Sequence, residues 1–178
     1  HVIVTTESFR KLATSRGGQR DADVSIVRNG PFLSRDFPAT APVPEVSALG
    51  RLVVGYVGHM NPQDHLEVFL EMARILRFDM GRTDIGFVML GAGDSWAGLK
   101  QSRDAMGLTD AVAMPGRVPW AQILGSLTAC DICVQPDPPT AFNRLLAHNK
   151  LMEYMALGKA SVAFDMEETR VSGGEAVD

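Results

Sequence analysis

The stretch NKLMEYMALGKASVAFD, residues 149 to 165, has the pattern of a helix that leads into a strand. An apolar run at helical spacing passes through Gly158 into a β-branched segment. The predicted helix starts near Asn149 and carries two charges, Lys150 and Glu153, which lie on the same side of the helix. The residues predicted to pack inward are Leu151, Met152, Met155 and Leu157.

The alternation of strand and helix runs through the chain from residue 51 onward. The predicted strands are RLVVGYVG, IGFVMLGAGD, AVAMPG, DICVQP and VAFD, and the helices between them include DHLEVFLEMARILRFDMG, SWAGLKQSRDAMG and PWAQILGSLTAC. The first of these helices has apolar residues at helical spacing, namely Leu66, Phe69, Leu70, Ala73, Leu76 and Met80. Strands that are apolar on both faces and alternate with helices predict a Rossmann-like, doubly wound α/β domain with a parallel sheet.

The chain divides into three parts by pattern. Residues 1–31 have the pattern strand, helix, strand, in VIVTT, ESFRKLATSR and VSIVRNGP. Residues 32–50 are a Pro-rich connection without a clear period, which is a candidate hinge or domain boundary. Residues 51–178 hold the regular alternation. Because the chain starts with His1 and a strand, we expect an excised fragment that is incomplete at its C-terminus.

Composition and charge argue against several classes of protein. The 178 residues are 46% hydrophobic and 21% charged, which is typical of a globular chain with one buried core. The net charge of -4 is spread without a basic block, so no nucleic-acid partner is predicted. The longest apolar runs are far shorter than the ~20 residues that span a bilayer. We predict a cytoplasmic protein, with the inner face of the membrane as an open alternative for the full-length protein.

Cys130 and Cys133 have C-x-x-C spacing. They lead into a strand, whereas a redox pair of this spacing opens a helix. Two cysteines also do not indicate a secreted disulfide framework. We therefore predict buried thiols without a function.

Ligands of a doubly wound sheet bind outside the carboxyl ends of its strands. The segments expected there are GHMNPQDH, GAGDS, GRVP, QPDPPTAFNRLLAHN and FDMEETR. GAGDSW has the first two glycines of a dinucleotide fingerprint but not the third, so a tight turn is the favoured interpretation. A P-loop, zinc motifs and a nucleophile elbow are absent from the sequence.

Lys150 and Glu153 have two interpretations at this stage. A helix N-terminus offers free N–H groups and a partial positive charge, so with Lys150 beside it the helix start is a candidate anion site, and Glu153 is an acceptor for paired hydroxyl groups. Alternatively, the two residues form an i, i+3 ion pair on a solvated face, worth a few tenths of a kcal/mol. The local pattern alone favours the ion pair.

The order of the segments resembles a known family. VIVTTES, VRNGP, VGYVGHMNPQDH, FVMLGAGDS, MPGRVP, ACDICVQPDP, NKLMEYMALGK and VAFD resemble the nucleotide-sugar-binding half of retaining GT-B glycosyltransferases, especially the family 4 enzymes that build bacterial surface polysaccharides. The similarity covers nearly the whole chain, and K-x-x-E-Y-M-A-x-G-K is its most specific part. GT-B enzymes have two Rossmann-like domains, the first binding mostly acceptor and the second donor. The resemblance implies that residues 1–31 are the crossover from the N-terminal domain.

The resemblance also implies roles for individual residues. Glu153 matches the second glutamate of the family's paired-glutamate motif, which binds the donor ribose. Backbone groups of Asn149 and Lys150 match the helix start that holds the diphosphate, and Gly58 lies on the turn near the phosphates. The main-chain groups that frame the nucleobase belong to Gly116, Arg117 and Val118.

The chain departs from the family pattern at the phosphates. The first glutamate of the motif falls on Leu145. Many relatives carry an arginine and a lysine where this chain has His59 and Asp64, although His59 stays a candidate donor-binding residue. Lys150 and Arg144 are the candidate catalytic residues, because they can supply the missing positive charge. The alternatives are a donor that is held differently, or weak binding.

Two other groups of side chains have open interpretations. His59, His65 and Asp64 match no established ligand spacing, and we predict no metal. Glu168 and Arg170 lie in FDMEETR, where relatives have a glycine pair. They form either a subfamily-specific site or a solvated loop ion pair.

The implied activity is transfer of a sugar from a nucleoside diphosphate to an acceptor hydroxyl, with retention at the anomeric carbon. The co-substrate is a UDP- or GDP-sugar, and no cofactor is expected. A sugar or lipid-linked acceptor would bind through the N-terminal domain, so we expect the isolated fragment to be inactive. A non-catalytic nucleotide-binding domain and a GT-B nucleotide-sugar epimerase are the alternatives.

Overall fold

The computed structural model describes residues 1–31 and 37–174, in which the chain forms two parallel sheets. The smaller sheet and its helix come first, as β1 (Val2–Val4), α1 (Glu7–Ser15) and β2 (Val24–Ile26). The larger unit consists of α2 (Pro44–Ser47), β3 (Leu52–Val57), α3 (Glu67–Arg74), β4 (Ile85–Leu90), α4 (Trp96–Ala105), β5 (Val112–Gly116), α5 (Trp120–Ala129), β6 (Ile132–Gln135), α6 (Asn149–Ala156), β7 (Ala160–Ala163) and α7 (Glu167–Gly173). Short 3-10 turns occur at Asp21–Asp23, Pro62–Asp64 and Asn143–Leu145.

The five strands of the larger sheet lie in the order β5-β4-β3-β6-β7, and all neighbours are parallel. The chain builds outward from β3 to one edge and then crosses over to build the other edge from β6. The topological switch point therefore lies between β3 and β6, which is where ligands of such sheets bind. These two strands pair only at Val54↔Ile132 and Gly55↔Cys133, so they separate toward their carboxyl ends.

Both faces of the larger sheet are buried. Along β4, Phe87 and Met89 contact a core cluster under α3 and α4, while Val88 and Leu90 contact a second cluster under α2, α5 and α6. A parallel strand that is apolar on both faces needs helices on both sides. The predicted doubly wound α/β fold is confirmed.

The helix predicted after β3 is confirmed, but its period changes before it ends. Within Glu67–Arg74, Phe69 and Leu70 are fully buried. The next turn, Ile75–Asp79, is a π-helix. Because a π turn holds more residues than an α turn, it rotates the following residues away from the core face. The predicted spacing therefore fails at Met80, which is 61% exposed.

Residues 1–31 form the predicted strand, helix and strand and are bonded to the larger unit. Thr6 caps α1 by accepting a hydrogen bond from the Phe9 amide at 3.1 Å. Its hydroxyl donates to the Leu145 carbonyl at 2.9 Å. The division of the chain at residues 31 and 50 stays a prediction.

The predicted Pro-rich connection, residues 32–50, lies partly outside the described residues, which omit 32–36 and 175–178. Its second half contains α2 and packs on α5, where the Val43 amide donates to the Gly125 carbonyl at 3.0 Å. A Cβ on Gly125 would lie 2.9 Å from the Ala41 carbonyl oxygen. The glycine therefore permits the close approach of the connection to α5.

Cys130 and Cys133 are free, buried thiols, as predicted. A hydrogen bond with Cys133 and burial raise the pKa of Cys130, so its thiol is protonated at neutral pH. Beside them, the Lys159 ammonium donates to the Thr128 and Cys130 carbonyls at 2.7 and 2.8 Å. The last lysine of the K-x-x-E-Y-M-A-x-G-K motif thus closes the C-terminus of α5.

Tyr154 joins β3 to β6 where the two strands separate. Its side chain is fully buried, and its hydroxyl accepts a hydrogen bond from the Val57 amide at 3.1 Å and donates to the Val134 carbonyl at 3.4 Å. The phenol oxygen thus occupies the gap where the ladder between the strands has ended. It also joins α6 to the two strands at the switch point.

The buried face of α6 differs from the prediction. Leu151 is buried as predicted, and the second buried residue is Tyr154. Met152, Met155 and Leu157 are only partly buried. The reason is that α6 lies toward one edge of the sheet, where Met155 lines an open groove beside β7.

We expect Tyr154→Phe to lower the free energy of unfolding by about 1–3 kcal/mol, because the buried Val57 amide loses its acceptor. Urea unfolding followed by circular dichroism measures the change. Val162→Ala, at a position that is 56% exposed, is the control and should have little effect. Equal stability of Tyr154→Phe and the wild type would contradict the bridging role.

Candidate functional site

The crevice at the switch point is shaped by two loops that pack backbone against backbone. The Gly58 amide donates to the Leu90 carbonyl at 3.0 Å, and the Met60 amide donates to the Ala92 carbonyl at 3.2 Å. Gly91 has a φ of 124°, and a side chain there would overlap the Gly58 carbonyl. This packing supports the tight-turn interpretation of GAGDS.

Lys150, in the first turn of α6, reaches across the switch point to the loop after β3. Its Nζ lies 3.6 Å from Asp137 Oδ2 and 5.3 Å from the centre of the Tyr56 ring. A Cβ on Gly58 would lie 2.5 Å from Lys150 Cε, so the glycine makes room for the lysine stem. The ion-pair partner of Lys150 is thus Asp137, whereas the local pattern favoured Glu153.

Asp137 is a buried carboxylate beside a second carboxylate. Its side chain is 3% exposed, and burial raises its pKa. Lys150 opposes this rise in pKa, and neighbouring Asp64 adds to it. Asp64 closes its own 3-10 turn by accepting a hydrogen bond from the Asn61 amide at 2.9 Å. Asp137 thus lies between a lysine that favours its charged form and a second carboxylate that opposes it.

His148 and Gln135 add neutral polar groups at the end of β6. Nε2 of Gln135 lies 3.1 Å from Nδ1 of His148. Burial, followed by the charge of Lys150, lowers the pKa of His148, so its ring is neutral at pH 7. In the part of the chain that the structure describes, Oε1 of Gln135, Nε2 of His148 and Oδ2 of Asp137 are buried without a hydrogen bond. Buried polar atoms without a partner are uncommon in proteins, and here three of them lie close to one crevice.

Glu153 lies one turn further along α6 and faces a separate small pocket of about 170 Å³. Asn149 and Glu153 line one side of it, Trp120 at the start of α5 another, and residues 29–31 and Phe37 the rest. The rings of Phe37 and Trp120 meet edge to face, with centroids 5.9 Å apart. The pocket thus combines a carboxylate, two side-chain amides and two aromatic rings.

The structure brings together several of the predicted site residues. Asn149 and Glu153 share the small pocket, and Lys150 contacts Gly58 in the crevice. His59 is exposed at the rim, where its carbonyl accepts a hydrogen bond from the Tyr56 hydroxyl at 3.3 Å. The predicted donor residues of α6 and of the loop after β3 therefore lie around one helix start.

The three residues predicted to frame the nucleobase lie at the carboxyl end of β5, where Gly116 is the last residue of the strand. Gly116 is buried with a φ of 79°, and its carbonyl accepts a hydrogen bond from the Gly91 amide at 3.0 Å. Arg117 is exposed, and Val118 packs against the core cluster under α5. They lead directly into Trp120, which lines the Glu153 pocket.

Arg144 is exposed, and its contacts are with its own loop. Its Nε donates to the Pro139 carbonyl at 3.1 Å. The pKa of Asp165 is lowered mainly by its hydrogen bond with Arg170, and the charge of Arg144 adds to this effect. No bond in the described residues joins Arg144 to Lys150.

Glu168 and Arg170 do not form the alternative loop ion pair. Arg170 bonds to Asp165 on the surface at 2.5 Å, whereas Glu168 is buried and pairs with Arg28 at 2.9 Å. The ion-pair interpretation is wrong because both residues lie in α7, where side chains two positions apart point in different directions.

Sequence reasoning missed Gln135, Asp137 and His148. The available signal was their position directly after the apolar strand DICV and directly before the α6 helix, at the carboxyl end of a strand. QPDPP has the composition of an exposed turn, so composition gives no sign that Asp137 is buried.

In residues 1–31 and 37–174, no group of three or more His, Cys, Asp or Glu side chains is arranged to hold a metal ion. None of the helices in those ranges is long and apolar enough to span a bilayer. The absence of a metal and the cytoplasmic location stay predictions.

We expect the stability difference between the wild type and Asp137→Asn to depend on pH. Because burial raises the pKa of Asp137, the folded protein keeps a proton that the unfolded chain has lost, and stability falls as pH rises from the ordinary value of 3.8 through the raised pKa. Asparagine does not titrate, so the variant lacks this fall. Urea unfolding of both proteins between about pH 4 and pH 8 measures the difference. His148 titrates in both proteins, so its contribution largely cancels in the difference. A difference in unfolding free energy that does not change with pH would contradict the raised pKa of Asp137.

Solved structures of GT-B glycosyltransferases share the fold. A mutant of S. aureus TarM, in complex with fondaparinux, α-GlcNAc-glycerol and UDP, matches with a TM-score of 0.68 at 16% identity, over 93% of this chain and 30% of TarM. Anabaena HepE with UDP and glucose matches with a TM-score of 0.68 at 18% identity, over 95% of this chain and 45% of HepE. The lipopolysaccharide outer core galactosyltransferase WaaB matches with a TM-score of 0.59 at 15% identity, over 92% of this chain and 43% of WaaB. This chain thus spans less than half the length of each of these proteins.

A search of curated proteins gave no significant match. The family model described as glycosyl transferases group 1 matches residues 51–176, which are 126 of the 178 residues. The matched region includes all five strands of the larger sheet and both charged residues of α6. The chain therefore belongs to the group 1 family of glycosyl transferases.

Proposed function

We propose that this chain is the donor-binding half of a retaining GT-B glycosyltransferase of family 4, acting with a UDP- or GDP-sugar. The proposal rests mainly on the start of α6, whose residues line two adjacent subsites. Asn149 and Glu153 face the small pocket, while Lys150 reaches into the crevice beside it. A nucleoside diphosphate has a ribose directly next to a diphosphate, so two adjacent subsites on one helix suit this ligand.

The small pocket is assigned to the nucleoside. The Glu153 carboxylate has two acceptor oxygens and suits a pair of ribose hydroxyls. Trp120 and Phe37 supply aromatic surface against which a nucleobase can stack. We assign the main-chain groups of Gly116, Arg117 and Val118 to the edge of the base, because that loop leads into Trp120.

The crevice is assigned to the diphosphate. No side chain caps the start of α6 in the described residues, and the amides of the first helical turn suit an anion. Gly58 and His59 lie across the crevice, where a glycine lets a phosphate approach the backbone closely. A diphosphate bound there competes with Asp137 for the Lys150 ammonium.

The proposed reaction breaks the bond between the anomeric carbon and the diphosphate and joins the sugar to an acceptor hydroxyl, with retention at the anomeric carbon. Negative charge grows on the leaving diphosphate. Lys150 and the dipole of α6 are fixed in position to stabilise that charge. Arg144 is assigned as a second cation, which requires its guanidinium to leave the Pro139 carbonyl.

Acceptor binding is assigned to a part of the protein outside these residues. The acceptor is a sugar or a lipid-linked sugar that binds through the N-terminal domain at the cytoplasmic face of the membrane or in the cytoplasm. The nucleotide-sugar is the only small molecule that the reaction needs beside the acceptor. A fragment of these 178 residues is expected to bind donor weakly and to show no turnover.

A non-catalytic nucleotide-binding domain is the second candidate, and the charge of the crevice favours it. The family resemblance leads us to expect two basic residues where this chain has His59 and Asp64. The lysine that is present, Lys150, is already paired with buried Asp137. Nucleotide binding without turnover in the full-length protein would support this candidate over transfer.

We expect base-selective binding of one of UDP, GDP or ADP, or of its sugar conjugate, in calorimetric titrations. Glu153→Ala and Lys150→Met should each weaken that binding by about tenfold or more, because each removes one partner of a charged contact. Glu45→Ala and Lys11→Met, at exposed positions that line neither the small pocket nor the crevice, are matched controls and should bind as the wild type does.

Lys150→Met leaves the buried Asp137 without its ion-pair partner. Asp137→Asn, alone and combined with Lys150→Met, shows whether that unpaired carboxylate causes the weaker binding. Absence of binding by the wild type, or binding that both Glu153→Ala and Lys150→Met leave unchanged, would contradict the proposed donor site.

A further inference from the structure

Glu168 is a buried carboxylate that ties α7 to residues 1–31. It lies in the first turn of α7 and is fully buried. Its Oε2 accepts a hydrogen bond from Arg28 at 2.9 Å, and its Oε1 accepts from the Ser8 hydroxyl and amide at 3.4 and 3.5 Å. Donors from both α1 and the chain after β2 therefore converge on one side chain.

Arg28 leads directly into a wall of the Glu153 pocket. The three residues that follow it, 29–31, line this pocket together with Glu153. The ladder between β1 and β2 ends just before them, with the Val27 amide donating to the Val4 carbonyl at 2.8 Å. Gly30 also gives this wall an intrinsically flexible backbone. The pair of Arg28 with Glu168 is therefore well placed to hold the wall against the larger unit.

We infer that Glu168 is a positioning residue for the Glu153 pocket, because its pair with Arg28, here called the latch, holds residues 29–31 opposite α6. The inference rests on the proposed function for the identity of the ligand. A pocket whose walls are already in place binds more tightly than one that must be ordered by its ligand. Loss of the latch thus weakens nucleotide binding although neither latch residue lines the pocket.

A neighbouring ion pair provides a matched control. Lys11 and Glu167 also join α1 to α7, with 3.3 Å between charged atoms, but both side chains are about 60% exposed. Surface pairs of this kind contribute little to stability. Lys11 is in α1, so this pair does not hold the chain after β2. Glu167→Gln therefore removes the same charge one residue away without releasing the pocket wall.

The test uses Glu168→Gln, Arg28→Met, the double variant and Glu167→Gln in the full-length protein. Glutamine keeps the size of the side chain and an acceptor for Ser8, so we expect Glu168→Gln to fold, which circular dichroism checks. We expect each latch variant to raise the Kd for the best-bound of UDP, GDP and ADP on the order of tenfold. The Kd of the double variant should be no higher than the higher of the two single-variant Kd values, because both substitutions remove the same ion pair. Glu167→Gln should leave the Kd unchanged.

Hydrogen exchange gives a readout that does not depend on nucleotide. We expect faster exchange in peptides that span residues 27–31 of Glu168→Gln, with exchange in β3 and β4 unchanged. Equal acceleration in β3 and β4 would mean a general structural role and overturn the inference, as would an additive loss of affinity in the double variant. If the wild type binds nucleotide and Glu168→Gln binds it equally well, the latch is contradicted and the proposed function is not. Faster exchange at 27–31 in a protein that binds no nucleotide supports the latch and contradicts the proposed function.

Discussion

The site depends on the hydrogen bonds of one buried phenol. The Tyr154 hydroxyl lies between the Val57 amide and the Val134 carbonyl, where the ladder between β3 and β6 has already ended. It bonds the carboxyl ends of the two central strands to each other and to α6. Because Lys150 and Glu153 are carried by the same helix, this anchor also sets where each charge points.

Hydrophobic periodicity and the alternation of strands with helices predicted the parallel sheet and the start of α6, because both patterns are visible in short runs of sequence. The bridging and latch residues could not be predicted in this way, since Tyr154 bonds a residue 97 positions away and Glu168 one 140 positions away. Helical spacing also failed at Met80, where a π turn precedes it and the period changes. The ends of the predicted strands thus indicated where the site lies, but not which charged side chains pair there.

The crevice combines one lysine with two acidic side chains. Asp64 caps the turn after β3, so its carboxylate has a structural role in that turn. Asp137 is buried beside it, and Lys150 offsets part of this negative charge. The lysine is therefore held in position before any ligand binds, at the cost of a competing partner. A diphosphate must compete with Asp137 for Lys150, which couples donor binding to the charge of a buried carboxylate.

The donor site is best tested by a crystal structure of the protein with the nucleoside diphosphate that it binds most tightly. We expect ribose hydroxyls within hydrogen-bond distance of the Glu153 carboxylate, and a diphosphate between the first turn of α6 and the Gly58 loop, bonded to Lys150. A nucleotide bound elsewhere, or one in the crevice that leaves Glu153 and Lys150 without contact, would contradict it.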